Sequence, residues 1–373
     1  MTEKSPTKNI QAQVEVQLDE RSYPIYIGHD ILTQAHQILE SVIRGKKILL
    51  VTNNEVYDLH GHTLQLSMEK TAQEVQVVTI PDGEQHKNLE ILSALYDAAV
   101  EGNLERSSVV VALGGGIVGD MAGLLAATYM RGIGFVQVPT TLLAQVDSSV
   151  GGKVAVNHLR GKNLIGAFYQ PQAVLIDTKT LETLPEREIN AGFAEVIKTA
   201  MLGDSNLFSY LEDNIDNILK LKPIELSHVI AACCRVKAAV VSADEEEHGI
   251  RAILNLGHTY GHAIETLTNY QTYRHGEAVA IGMIAACRLA EKVNNLTPEI
   301  RERLTKLLEK ANLPTQFPLF PREKWQMVFA LDKKVKAGNV IFILPERIGS
   351  AQIVNTIPLE SALEVVEELQ KDS

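Results

Sequence analysis

Cysteine, long apolar runs and positive charge are all scarce in this 373-residue chain, and each shortage excludes something. There are three cysteines, Cys233, Cys234 and Cys287, and no CxxC pair. That spacing offers neither a disulfide framework nor a cysteine metal site, and it reads as small buried thiols in a reducing, cytoplasmic setting. Two of them are adjacent in a helical pattern and so face different directions. No stretch of 18 apolar residues exists. The most apolar segment, Val109 to Met130, is interrupted by Asp120, glycines and a threonine, so no membrane helix is expected. Met1 to Asn9 is polar, without the apolar segment of a secretory leader. Lys and Arg total 35 against 46 Asp and Glu, a net charge of −11, which argues against nucleic acid as a partner. An anionic small molecule remains possible if a local basic pocket is set into the acidic body. No repeat or low-complexity segment stands out.

With 45% hydrophobic residues the chain can build a sizeable core, and its length suggests two domains. In the first half, short β-branched runs alternate with helical patterns. Val14–Leu18 and Tyr23–Ile27 read as a hairpin. Lys47–Thr52, Glu74–Thr79, Ser107–Leu113, Phe135–Val138 and Ala173–Ile176 read as buried strands, with helices over Ile31–Ile43, Asn54–Met68, Asn88–Glu101 and Val118–Ala127. This alternation predicts a mostly parallel, Rossmann-like sheet. Beyond about residue 178 the pattern turns helical: Glu188–Leu202, Ser205–Leu219, Leu226–Ala243, Gly257–Thr268, Gly276–Lys292 and Pro298–Ala311, then a late strand pair, Val340–Leu344 with Ala351–Ile353, and a helix over Leu359–Lys371. The expected architecture is an α/β domain over 1–178 and a mainly α-helical domain over 179–373, with an active cleft between them.

Three turns fall at expected strand ends. Gly114, Gly116 and Gly119 satisfy GxGxxG where a strand meets a helix, a place suited to a pyrophosphate, although glycines there also permit close strand–helix packing. The motif is not an ordinary dinucleotide fingerprint: it follows a middle strand, and Asp120 lies inside it instead of an acid some 20 residues later. Pro81–Lys87 and Pro139–Thr141 are the other two turns. Asp147–Lys153 and Gly161–Gly166 are glycine-rich stretches bearing Lys153 and Lys162. Lys198, Lys237, Arg251 and Lys334 lie in otherwise apolar segments. A single such lysine usually reaches for solvent; six cations near glycine turns and histidines suggest a clamp for an anion. Glu195 and Lys198 share one helical face, His258 and His262 share another at i, i+4, and His275 precedes a further helix. From spacing alone His258 and His262 would be the metal-ligand pair, though two histidines on a helix are often only hydrogen-bonded.

Taken in order, PDGEQHK, GGGIVGDMAG, ATYMRG, VPTTLLAQVDSSVGGKVAVN, GKNLIGAFYQP, DTKTLETLP, GFAEVIK, LNLGHTYGHAIE and HGEAVAIGM resemble the sugar phosphate cyclase family, in its dehydroquinate-forming branch, from about Val51 to Leu344. The resemblance replaces the spacing argument for the metal. It implies a divalent ion, zinc or cobalt, on Glu195, His258 and His275, with His262 on the substrate side. It implies NAD contacts from Asp82, Gly83, Glu84, Gln85, His86 and Lys87, from Gly116, Ile117, Val118, Gly119 and Asp120, from Thr140 and Thr141, and from Thr180, Leu181, Glu182 and Thr183. Lys153 and Lys162 would lie near both nicotinamide and substrate. Asn163, Lys237, Arg251, Asn255, His262 and Lys334 would hold the substrate's carboxylate and phosphate, with Asp147 and Lys198 in support. Arg131 would reach into the partner subunit of a homodimer.

The implied reaction converts 3-deoxy-D-arabino-heptulosonate 7-phosphate to 3-dehydroquinate and phosphate. NAD takes a hydride from a ring alcohol, phosphate leaves by β-elimination, the hydride returns, and the opened ring closes by an aldol step. The family's chemistry lets the substrate's own phosphate act as base, which fits the lack of any one side chain standing out for that role. Two other enzyme types share parts of the pattern: metal-dependent polyol dehydrogenases, which need few phosphate-binding cations, and cyclases making other carbocycles. The chain departs from the family at Leu256, where an aromatic is common, at Ala200, where glycine is frequent, and at Thr52-Asn53-Asn54, which lacks an aspartate that some members place near the adenosine.

Overall fold

A computed structural model describes residues 9–331, 335–336 and 339–371. It separates into two compact units. One contains the chain up to Leu184 together with Pro223–Ser242; the other contains Pro185–Lys222 and the chain from Ala243 onward. The chain therefore does not divide at a single point. The segment 223–242, expected within the helical C-terminal half, joins the unit formed by the N-terminal part.

In the first unit the strands are β1 (Ile10–Val16), β2 (Tyr23–Gly28), β3 (Lys47–Thr52), β4 (Glu74–Thr79), β5 (Val109–Gly114), β6 (Gly134–Pro139), β7 (Lys153–His158), β8 (Gly161–Phe168) and β9 (Ala173–Asp177). Seven form one sheet in the order β1-β2-β9-β6-β5-β3-β4, parallel throughout except for the β1–β2 hairpin. Helices cover both faces, so the interiors of the central strands are near-continuous apolar runs, with Gln137 of β6 the exception. Along β5, Val109, Val111 and Leu113 face one core with Leu39, Leu64 and Met68. Val110 and Ala112 face the other with Leu95, Met121 and Leu125. The antiparallel β7–β8 ribbon packs Val154 and Val156 into that second core. The glycine-rich segment 161–166, to which no element was assigned, is thus strand. The expected helix Ile31–Ile43 is three short turns, Leu32–Gln34, Ala35–Ile38 and Glu40–Ile43.

The second unit is mainly helical: Glu186–Gly203, Ser205–Leu219, His258–Leu267, His275–Val293, Pro298–Lys310, Arg322–Leu331 and Leu359–Lys371. A three-stranded antiparallel sheet completes it, with β10 (Val335–Lys336), β11 (Asn339–Arg347) and β12 (Ser350–Pro358). The late strand pair is longer than expected, and helix Arg322–Leu331 was not expected at all. No helix among the described residues is long and apolar enough to cross a membrane. All three cysteines are free and buried, and burial pushes the Cys234 and Cys287 thiols up to about 12, as suits packing groups rather than nucleophiles.

Candidate active site

In the first unit, chain order and sheet order diverge between β3 and β5. From β3 the chain moves outward to β4, then crosses to β5 on the far side of β3 and continues to β6. Ligands of open parallel sheets bind beyond the carboxyl ends of the strands at such a reversal. Here those ends carry Thr52-Asn53, Pro81–Lys87 and Gly114–Gly116. Gly115 caps helix Gly116–Thr128 in an extended conformation, so the first backbone N–H groups of the helix are not consumed by a side-chain cap. Side chains are excluded close by: a Cβ on Gly115 would stand 3.2 Å from Thr141 Cγ2, and one on Gly116 3.0 Å from Ser148 Oγ. Thr140 N donates to Gly114 O at 3.0 Å, which ties the Pro139–Thr141 turn to the glycine turn.

A buried polar chain borders this edge. The Lys87 ammonium, 6% exposed, pairs with Asp120 and donates to Asn163 Oδ1 at 2.6 Å. Burial raises the Asp120 carboxyl to about 6, against the pull of Lys87. Asn163, at φ +53°, donates its backbone N–H to Asn157 Oδ1 at 2.9 Å, and Asn157 Nδ2 donates to Glu84 Oε1 at 2.7 Å. Loop 84–87 is thereby bound to the β7–β8 ribbon. Lys237 donates to Asp147 O at 2.6 Å and pairs with its carboxylate. Gln145 Nε2 donates to Pro139 O, Asp177 O and Thr180 Oγ1 at 3.1–3.3 Å. It holds the 180–183 segment against the end of β6. Asp177 fixes the same region by accepting from the backbone N–H groups of Asp30, Ile31, Leu32 and Lys179. Lys153 and Lys162 are exposed on the ribbon, and Arg131 is exposed in a turn where it and Met130 both adopt positive φ, +68° and +48°.

In the second unit, Glu195, His258 and His275 place one ligand atom each within 4.8 Å of the others. Glu195 is 1% exposed; its Oε2 pairs with Lys198, 3% exposed and one turn on, while its Oε1 accepts no hydrogen bond. A buried carboxylate so placed calls for positive charge. His258 Nδ1 lies 3.2 Å from Leu256 O, which makes Nδ1 the donor and leaves Nε2 a lone pair. His275 Nδ1 lies 3.4 Å from both oxygens of Glu265, and its Nε2 is 3.8 Å from Glu195 Oε1. Each histidine is therefore oriented through its far nitrogen, the usual outer support of a metal site. Burial and then the Lys198 charge hold His258 well below its ordinary value, so its imidazole is neutral. His275 is drawn down by burial, but the hydrogen bond and charge of Glu265 together with the charge of Glu195 outweigh this and the net shift is upward. The donor set, one carboxylate and two imidazoles, suits zinc or cobalt with a position left open.

His262, exposed, shares the next ring contacts, 5.3 Å from His258 and 6.0 Å from His275. With Glu265 and His275 it makes an alternative cluster. That cluster would take Glu265 away from orienting His275 and leave Glu195 Oε1 without a partner. Arg251 is 2% exposed, held by a bond to Glu245 O and by Asp244 Oδ2 on its backbone N–H at 3.0 Å. Asn255 Nδ2 reaches Glu247 Oε1 at 3.4 Å. Lys334 lies outside the described residues. Sequence reasoning missed Glu265, Gln145 and Asp177. Glu265 had a signal, since His258, His262 and Glu265 stand at i, i+4, i+7 on one helix; Gln145 and Asp177 had none.

The chain matches two family models end to end, 3-dehydroquinate synthase N-terminal over residues 77–191 and 3-dehydroquinate synthase C-terminal over 192–335. It is 51% identical over 355 residues to the 3-dehydroquinate synthase of Desulforamulus reducens, covering 95% of this chain and 99% of that one. Among solved structures, 2-deoxy-scyllo-inosose synthase complexed with carbaglucose-6-phosphate, NAD+ and Co2+ aligns with TM-score 0.87 at 27% identity, over 96% of this chain and 100% of that one. The 2-epi-5-epi-valiolone synthase of Streptomyces hygroscopicus subsp. jinggangensis, with NAD+ and Zn2+ bound, aligns with TM-score 0.86 at 26% identity, over 96% and 99%. Cyclases of other carbocycles thus share the fold at about half the identity of the dehydroquinate enzyme, and the chain belongs to the 3-dehydroquinate synthase family.

Proposed function

We propose that the two residue sets described above are the cofactor and metal sites of one enzyme, which converts 3-deoxy-D-arabino-heptulosonate 7-phosphate to 3-dehydroquinate and phosphate. The membership carries the reaction; the buried carboxylate of Glu195 facing two oriented imidazoles is the observation that carries the metal. When bound, the dinucleotide supplies a reversible hydride acceptor and the divalent ion polarises an alcohol or ketone oxygen.

The chain's own residues then divide the remaining work. Glu195, His258 and His275 hold the ion, and Lys198 beside Glu195 places a further positive charge there. The glycine turn at 114–116, loop 82–87, Thr140, Thr141 and segment 180–183 receive the dinucleotide, with Gly116–Asp120 against its pyrophosphate side. Lys153, Lys162, Asn163, Lys237, Arg251, Asn255, His262 and Lys334 clamp the carboxylate and phosphate, and Asp147 orients Lys237. The buried cations come already paired with carboxylates or carbonyls, so their positions are set before substrate arrives. We place Arg131 at a homodimer contact: two successive non-glycine residues at positive φ in an exposed turn cost energy, which a partner subunit would justify. Three buried free thiols fit a cytoplasmic enzyme.

The test is product analysis. Purified protein given the heptulosonate phosphate, substoichiometric NAD and zinc or cobalt should release one phosphate per dehydroquinate, with no net NADH. Phosphate release without dehydroquinate overturns the reading, and steady accumulation of NADH would instead favour a polyol dehydrogenase. His275→Ala should lose metal binding and at least a thousandfold in turnover, on the order of what a lost catalytic metal costs, while keeping native helical content. Retained activity in the presence of a chelator would sink the metal assignment.

A further inference from the structure

Helix Glu186–Gly203 presents Arg187, Ala191 and Glu195 at i, i+4 and i+8, one row along one face. Opposite this row stand Glu277, Gly276 and His275, three consecutive residues at the start of helix His275–Val293. Each pair meets differently. Arg187 grips Glu277 with a two-pronged pair, Nε to Oε1 and Nη2 to Oε2, both 2.7 Å. Gly276 lies against the backbone of Ala191, so close that a Cβ there would overlap the Ala191 carbonyl. His275 Nε2 faces Glu195 Oε1. Arg187 Nη2 also donates to Thr272 O at 2.8 Å, and Glu277 Oε2 accepts from Arg274 N at 2.8 Å, so the segment entering the second helix is held at both its carbonyl and its cap. A second ion pair, Arg274 to Glu188 at 2.9 Å, flanks the first.

We propose that Arg187 and Glu277 are positioning residues of the metal centre, setting the distance between Glu195 and His275 through the Gly276–Ala191 contact. This inference rests on the reading that Glu195, His258 and His275 hold the ion. The two ligands belong to segments 80 residues apart in sequence, and helices packed by apolar side chains alone can slide by fractions of an ångström. A fork of two parallel hydrogen bonds fixes direction as well as distance. A glycine at the crossing lets the backbones approach until one imidazole and one carboxylate can share an ion.

The experiment uses the full-length apo-enzyme titrated with Co(II), followed by its visible absorption bands, with zinc affinity measured by competition against a chromophoric chelator. Arg187→Met and Glu277→Gln should each weaken metal binding by about 10–100-fold, the usual effect of losing an outer support, and alter the Co(II) band pattern. Arg187→Lys should recover part of the loss, because it restores the charge but not the fork. Arg187 is half exposed, so its replacement should leave the urea midpoint of the metal-free protein within a few tenths molar of the parent. Gly276→Ala should be worse than either; should it not fold, Arg187→Met and Glu277→Gln decide the matter. Wild-type affinity and bands in both variants would overturn the inference. His275→Ala runs alongside: if it too binds metal like the parent, the ligand assignment itself fails, whereas if it loses the metal and Arg187→Met does not, only the positioning role fails.

Discussion

Asp120 shows what one buried carboxyl beside the glycine turn costs the fold. It sits beside a nearly buried lysine, yet its carboxyl is raised to about 6 because burial outweighs that partner. A carboxyl whose folded value lies above its unfolded value of 3.8 holds its proton more tightly in the folded state. Its contribution to stability is therefore fully present below about pH 4 and is lost as pH rises through about 6. Asp120→Asn removes the titration. Relative to this variant the parent should lose on the order of 1–3 kcal/mol between pH 4.5 and 7.5, from a shift of roughly two units at about 1.4 kcal/mol each. Urea denaturation of both proteins at the two pH values reads this directly; a difference that stays constant, or grows toward acid, contradicts the burial argument. Such a group is legible in sequence only in part. Asp120 could be singled out because it interrupts a glycine motif, but Lys87 as its partner could not, since 33 residues and a strand separate them. The cluster of His275 with Glu195 and His258 was legible only through resemblance: helical spacing pointed to His262, which is closer in sequence to His258, and spacing within one helix cannot see a side chain brought in by another.

Elements were more legible than their joints. The central strands announced themselves because a parallel sheet covered on both faces favours near-continuous apolar runs, and the interiors of β3, β5, β6 and β9 are apolar apart from Gln137. The β7–β8 ribbon was not seen as such: one face is solvated and its sequence is rich in glycine and lysine, so it reads as loop until Val154 and Val156 are found in the core. Helix Arg322–Leu331 was missed for the opposite reason: its buried Trp325 and Phe329 fall in a segment of 10 residues directly after Pro318 and Pro321, too short for a clear helical period. Where helix Gly116–Thr128 crosses the sheet and the ribbon, Gly123 is the joint. A Cβ there would overlap Val154 Cγ1 and stand 3.0 Å from the Phe135 ring. Both neighbours are fully buried and cannot yield cheaply. Gly123→Ala gains up to about 1 kcal/mol of helix propensity but overpacks the core by about 1–3 kcal/mol. The net expectation is a loss, near 1 kcal/mol, seen as a lower urea midpoint; a stabilised variant would mean the ribbon can move aside.

At the scale of the whole molecule the notable feature is that the unit carrying the glycine turns is not continuous in sequence. Helix Pro223–Ala243 joins it after the chain has entered the second unit. Among the contacts that fasten it are Ser227 to Gln11, Cys234 Sγ to Gln145 O at 3.4 Å, and Lys237 to Asp147. Leu226, Val229, Ile230, Cys233, Cys234 and Val241 are fully buried on this helix. At roughly 1.5–3 kcal/mol per large apolar side chain, its removal forfeits on the order of 10 kcal/mol, as much as the whole net stability of a typical domain, about 5–15 kcal/mol. The fragment 1–184, which holds all seven strands of the parallel sheet, should therefore not fold by itself. Produced alone, it should bind a hydrophobic dye and lack a cooperative urea transition, and NAD should not rescue it at concentrations that stabilise the full chain. A fragment that unfolds cooperatively and binds NAD would show that the sheet is self-sufficient. In that case the Lys237–Asp147 pair would join the helix to a unit already formed.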